Sequence, residues 1–87
     1  MSRIRMYSTR YCPFCVMARE LFRRKGVEIE DIPVDQDRER RAEMERISGR
    51  HTVPQIFINQ IHVGGYDDLA RLDYAGQLDP LLKEDES

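Results

Sequence analysis

The sequence predicts an α/β fold, a four-stranded mixed sheet flanked by helices, and three observations carry that prediction. Polar and apolar residues alternate near residues 3–8, give way after Pro13 to apolar residues at helical spacing, and return to a strand-like run over 27–34. Two short β-rich runs, 55–58 and 61–63, flank Asn59-Gln60 as the arms of a tight hairpin do. The chain has 87 residues, enough for one domain with one thin core.

Each element has a local cause. Ile4 and Met6 alternate with polar neighbours and mark a first strand over 3–8. Pro13 suits the first position of a helix, where a missing N–H costs nothing. Val16, Met17, Leu21 and Phe22 follow at helical spacing, Arg23 to Lys25 supply cations for a last turn, and Gly26 offers a stop, so helix one is expected over 13–25. Val27, Ile29, Ile32 and Val34 suggest strand two. Asp35 or Asp37 can cap a second helix that Gly49 ends, with Ala42, Met44 and Ile47 as its buried positions and the charges from Arg38 to Arg46 as a solvated face. The hairpin follows Thr52-Val53-Pro54 and closes at Gly64-Gly65. Leu69, Leu72 and Ala75 mark a third helix, 79–82 a short final turn, and 83–87 a polar tail. The order is β-α-β-α-β-β-α. A strand–helix–strand crossover makes the first two strands parallel, and the hairpin adds antiparallel ones.

Composition narrows the function. Lys and Arg number 14 against 16 Asp and Glu, a net charge of -2, unlike the basic surface that nucleic acid requires. No apolar run approaches the roughly 20 residues of a membrane span. The basic N-terminus, Arg3 and Arg5, precedes no apolar stretch and is not a secretory signal, so a cytoplasmic location is expected.

The two cysteines form a single Cys12-Pro13-Phe14-Cys15 motif. In a reducing compartment such a pair points to redox or metal chemistry rather than to a structural bridge. A zinc site would need His51 and His62 to complete a tetrahedron, at a spacing far outside compact finger patterns; neither histidine is assigned a role. Residues three apart on a helix lie on one side, so both sulfurs fit disulfide geometry with little backbone movement. Cys12 falls among the unpaired N–H groups at the positive end of the helix, a setting expected to favour its thiolate. Cys15, inside the first turn, is expected to be more buried and protonated. Cys12 is thus the expected nucleophile and Cys15 the resolving thiol.

With these residues in view, the chain resembles the glutaredoxins. The likeness runs from Tyr7 to Leu82 through Cys12-Pro13-Phe14-Cys15, Ser48-Gly49-Arg50, Thr52-Val53-Pro54-Gln55-Ile56-Phe57-Ile58, Gly64-Gly65-Tyr66-Asp67-Asp68-Leu69 and Leu78-Asp79-Pro80-Leu81-Leu82. It is similar above all to short bacterial dithiol members of the glutaredoxin 3 type. The resemblance implies a thioredoxin-like (glutaredoxin) fold and a glutathione-dependent disulfide oxidoreductase. It implies no bound cofactor, with glutathione as cosubstrate. The partners implied are glutathione and glutathionylated or disulfide-containing client proteins, without nucleic acid or membrane, met by a monomer. Iron–sulfur carriers of similar fold keep one active-site cysteine and no proline, so Pro13 and Cys15 count against that role.

The resemblance also implies site residues. Tyr11, Pro13 and Phe14 flank the dithiol, and Phe14 stands where the family usually has Tyr. A cis bond before Pro54 would leave Val53 to pair with the cysteinyl part of glutathione, beside Thr52. Gly65 permits close approach, and Asp68 would take the γ-glutamyl ammonium, while Asp67 complements the helix dipole. Thr9 stands where the family often has a lysine facing a carboxylate. Arg10 is the expected substitute, and Arg41 a further candidate for the glycyl carboxylate.

Overall fold

The computed structural model describes residues 2–84. Its elements are β1 (Ile4–Ser8), α1 (Pro13–Arg24), β2 (Glu30–Pro33), α2 (Arg38–Ser48), β3 (Gln55–Ile58), β4 (Ile61–Gly64), α3 (Tyr66–Tyr74) and α4 (Leu78–Lys83). The sheet order is β2-β1-β3-β4. β1 and β2 run parallel, as a helical crossover demands, and β3 pairs antiparallel with both β1 and β4.

The strand period of two splits the core between the two faces of the sheet. Ile4 and Met6 of β1 with Ile56 and Ile58 of β3 join Cys15, Ala18, Leu21 and Phe22 of α1, Leu69 of α3, and Leu78 and Leu82 of α4. On the opposite face Tyr7 and Phe57 meet Ile32, Val34 and Met44 of α2, with the Tyr7 and Phe57 rings edge to face at 6.0 Å. The Tyr7 hydroxyl donates to Glu43, which ties α2 to the sheet.

Several expectations need correction. α1 turns Cys15, Ala18, Leu21 and Phe22 inward, while Val16 is 55% and Met17 44% exposed. The buried set follows i, i+3, i+6, i+7 from Cys15, and Val16 and Met17 fall off that stripe. Strand two is shorter than its apolar run: Val27 and Ile29 pack on the larger cluster outside the ladder. Of the three apolar residues expected inside α2, only Met44 is buried; Ala42 is exposed and Ile47 is 40% exposed. A helix whose other residues are mostly charged touches the sheet along a single narrow line. The expected final turn is a helix, α4, which takes in Lys83. Pro80 sits in its first turn, where a missing N–H is tolerated. Leu78 and Leu82 use it to close the core. Of the expected tail, 85–87 lie outside the described residues.

The caps place the functional loops. Asp37 accepts from the N–H groups of Glu39 and Arg40, both at 3.1 Å, and so starts α2. Gly49, at φ 71°, ends it and turns the chain toward Thr52.

Candidate active site

The dithiol begins as a helix cap. Cys12 is the N-cap of α1 in extended backbone, and its Sγ accepts the Cys15 N–H at 3.1 Å, as a serine hydroxyl would. Sulfur at this position faces an N–H that has no partner within the helix. On its other side the Cys12 thiol points to the Val53 carbonyl at 3.8 Å, so the sulfur lies between the helix start and the loop before β3. Both cysteines are free thiols.

Their surroundings differ. Cys12 is 9% exposed and Cys15 is 0% exposed. Burial is the main reason the Cys15 thiol is pushed up to about 12; its contact with Cys12 adds to this, and a backbone hydrogen bond with Thr9 opposes it. Cys15 therefore holds its proton at neutral pH. The flanks of the dithiol are open: Tyr11 is nearly fully exposed, and Phe14 stacks on Tyr66 at 6.3 Å between centroids, joining α1 to α3.

Beside Cys12 runs an open cleft of about 200 Å³, lined by Phe14, Arg50, Thr52, Val53, Pro54, Gly65, Tyr66, Asp67 and Asp68. Thr52, Val53 and Pro54 come from the loop before β3, and the Val53–Pro54 bond is cis. That loop is held from below by Gln55, fully buried, whose Nε2 donates to the Thr52 carbonyl at 3.0 Å. Gln55 Oε1 in turn meets His62 Nε2 at 2.8 Å, and the His62 ring stacks on Phe57 at 4.8 Å. His62 is thus a supporting residue of the hairpin, and burial holds its imidazole below the ordinary range.

The opposite wall is the start of α3. Asp68 reaches back to accept the Gly65 N–H at 2.9 Å, half of a capping box, and its other partners are Arg50 at 3.2 Å and Arg71 at 3.4 Å. The Gly65 N–H first, and then the two guanidinium groups, hold the Asp68 carboxyl below its ordinary value. Gly64 has φ +113°, and a Cβ there would lie 2.3 Å from Asp68 Oδ2. Only glycine permits this approach.

The cleft gathers Thr52, Val53, Pro54, Gly65, Asp68 and Phe14, and Cys12 lies at its edge. Two expected residues are elsewhere. Arg10 is paired with Asp35 at 3.1 Å and lies over the Tyr11 ring, and it does not line the cleft. Arg41 donates to the His51 carbonyl at 2.7 Å from the α2 side, and His51 itself is exposed. Conversely, Arg50 and Tyr66 line the cleft, and the sequence alone assigns neither a role. Both flank residues that it does single out, and only the tertiary fold turns them inward.

The family model for glutaredoxin matches residues 4–63. Glutaredoxin 3 of Escherichia coli strain K12 is 48% identical over 83 residues, covering 95% of this chain and 100% of that protein. A glutaredoxin of Pseudomonas aeruginosa is 51% identical over 77 residues, covering 88% of this chain and 92% of that one. Among solved structures, a buckwheat glutaredoxin–glutathione complex superposes with a TM-score of 0.86 at 30% identity, covering 93% of this chain and 76% of that one. The solution structure of glutaredoxin from Brucella melitensis gives a TM-score of 0.82 at 48% identity, covering 93% and 88%.

Proposed function

The chain belongs to the glutaredoxin family of thiol–disulfide oxidoreductases, and on that premise we propose that it reduces glutathione mixed disulfides and protein disulfides with glutathione as its electron source. The observation that carries this reading is the asymmetry of the dithiol: one sulfur at a helix start beside an open cleft, the other buried with its thiol pushed up to about 12.

In this reading Cys12, as thiolate, attacks the glutathionyl sulfur of a mixed disulfide. The client thiolate leaves and takes a proton, and Cys12 carries the glutathionyl group. A second glutathione thiolate attacks that group, oxidised glutathione departs, and the Cys12 thiolate returns. One disulfide is consumed and one is formed, so electrons balance.

A protein disulfide takes a longer route. Cys12 bonds to one client sulfur and releases the other. Cys15 then loses its proton and attacks Cys12, freeing the reduced client and leaving a Cys12–Cys15 disulfide that two glutathiones reduce. The order of events is built into the pair. The Cys12 contact and charge are among the causes that hold the Cys15 proton. Both weaken once Cys12 is bonded to a client, so Cys15 becomes the easier thiol to ionise when its attack is due.

The reading assigns the peptide backbone of glutathione to Val53 beside Thr52 and Pro54, its ammonium to Asp68, and close approach to Gly65. The buckwheat neighbour was crystallised as a complex with glutathione, which supports a tripeptide ligand for a cleft of the same fold. Arg10 and Arg41, outside the cleft and already paired, are the weaker members of the proposed glutathione set. The proposal is completed by a single-domain monomer in the cytoplasm with no resident cofactor. Turnover of a glutathionylated peptide, coupled to glutathione and glutathione reductase, tests it. Turnover with thioredoxin reductase and none with glutathione would refute it.

A further inference from the structure

We propose that Arg19, tethered by Asp31 behind α1, is a positioning residue for the resolving step, its cation supporting the Cys15 thiolate as it attacks Cys12. The inference rests on the resolving role proposed for Cys15 above and concerns the side of the dithiol away from the cleft.

Helix and strand geometry set the placement. Arg19 follows Cys15 by four residues in α1, so the two share one face. Helical side chains lean toward the N-terminus, which carries the guanidinium back toward the Cys15 turn. Asp31 of β2 is the register partner of Met6, whose side chain packs with α1, and so it points to the same face of the sheet. There Asp31 Oδ2 accepts from Arg19 Nε, and Oδ1 accepts from the hydroxyl of Ser8, buried at the end of β1. The Arg19 and Asp31 side chains are each 34% exposed, so the pair can be altered without opening the core. With Ser8, Thr9, Arg10 and Pro33 they line an open recess of about 260 Å³.

The chemistry uses a cation at this place. In the resolving step the Cys15 thiol gives its proton to water, and the thiolate attacks the Cys12 sulfur. The Cys12–Cys15 bond forms as the Cys12–client bond breaks, and the client thiolate leaves and takes a proton. A sulfur with no exposed surface must therefore carry charge, which burial opposes. In its core cluster β1, β3 and α4 offer apolar side chains, and Tyr66 of α3 is turned to Phe14. Arg10, the other cation of the recess, is paired with Asp35. Once Cys12 is bonded to a client, the Thr9 backbone and the Arg19 charge remain to favour the Cys15 thiolate. Of the two thiols, Cys15 interacts with Arg19 more strongly.

The test separates the two attacks. Reduced protein is mixed with a one-cysteine peptide activated as its thiopyridyl disulfide. Thiopyridone absorbance reports the attack by Cys12, and acid-quenched mass spectrometry reports peptide release as the Cys12–Cys15 disulfide closes. Arg19→Gln should slow peptide release about threefold at neutral pH, the size of a partly exposed charge effect, and displace its pH profile upward. Arg19→Lys keeps the cation and should stay nearer the parent rate. Asp31→Asn keeps an acceptor for Arg19 but removes the opposing charge, so release should quicken and its profile move to lower pH. In each variant the first attack should change less than the second. Release at the parent rate in Arg19→Gln overturns the proposal. So does equal slowing in Arg19→Gln, Arg19→Lys and Asp31→Asn, which would make the pair a packing contact. No glutathione is present, so either result leaves the glutathione reading intact; a parent that never releases the peptide ends both this proposal and the resolving role of Cys15.

Discussion

Replacing Asp68 by Asn removes one charge and little else. The amide keeps the size of the carboxylate and one acceptor oxygen, so the Gly65 N–H, at 2.9 Å, retains a partner and α3 keeps its start. The ion pairs with Arg50 and Arg71 are lost, but these are exposed pairs, worth about 0–1 kcal/mol. The unfolding midpoint should therefore move little. Ligand recognition should suffer more. A hydrogen bond to a charged group contributes roughly 1.5–3 kcal/mol, and partial exposure of the site favours the lower figure, or about a tenfold rise in the KM for glutathione. The pH dependence follows from the sign of the shift. The carboxyl is held below its ordinary value in the fold. Its contribution to stability is thus fully present above the unfolded carboxylate range, and is lost as pH falls through the lowered folded value. In the wild type this adds to acid sensitivity below the ordinary carboxylate range; in Asp68→Asn that component disappears. The assay is the glutathione dependence of coupled turnover, with thermal unfolding alongside. An unchanged KM would refute the assignment and leave Asp68 as a helix cap alone.

Three further outcomes follow from the same geometry. Cys15→Ser should keep most removal of glutathionyl groups and lose most reduction of a protein disulfide, since the second reaction needs an intramolecular attack of high effective concentration, whereas Cys12→Ser should lose both; assays with the two substrate types separate them, and equal loss in Cys15→Ser would contradict the division between attacking and resolving thiol. In Cys12→Ser the remaining thiol should resist iodoacetamide through neutral pH and react appreciably only in alkaline solution, because burial, the largest cause of its raised value, stays in place when the Cys12 thiol is removed, and mass spectrometry across a pH series reads this directly. Met44→Ala removes the one α2 side chain buried against the sheet and should cost about 2–5 kcal/mol in urea unfolding, within the range for buried methionine truncations; a cost under about 1 kcal/mol would mean that the Tyr7–Glu43 contact, rather than packing, holds α2 in place.

The parts of this fold that are legible in the sequence are those with local causes. Pro13 starts α1, Asp37 caps α2, Gly49 ends it, and Asn59 adopts a positive φ of 55° in the hairpin turn; each acts through its own backbone or a near neighbour. Positions that the sequence misleads on depend on contacts distant along the chain. Ile47 and Val16 have the right chemistry for a core but face no partner element, and apolar identity alone does not reveal this. α4 reads as a turn because its buried positions, Leu78 and Leu82, make sense only once the gap between α1 and α3 is known. The site divides in the same way. The dithiol is a contiguous motif and is visible at once. Arg50 follows a helix-ending glycine and reads as an ordinary surface cation until the fold brings α3 up to it, 18 positions along the chain.

Locating the glutathionyl adduct tests the account at its centre. The Cys15→Ser protein would be incubated with oxidised glutathione, digested under non-reducing conditions and mapped by mass spectrometry, then treated with reduced glutathione. The account predicts one glutathionyl group, on Cys12, that reduced glutathione removes. A protein that forms no such adduct, or forms one that reduced glutathione leaves in place, would contradict it.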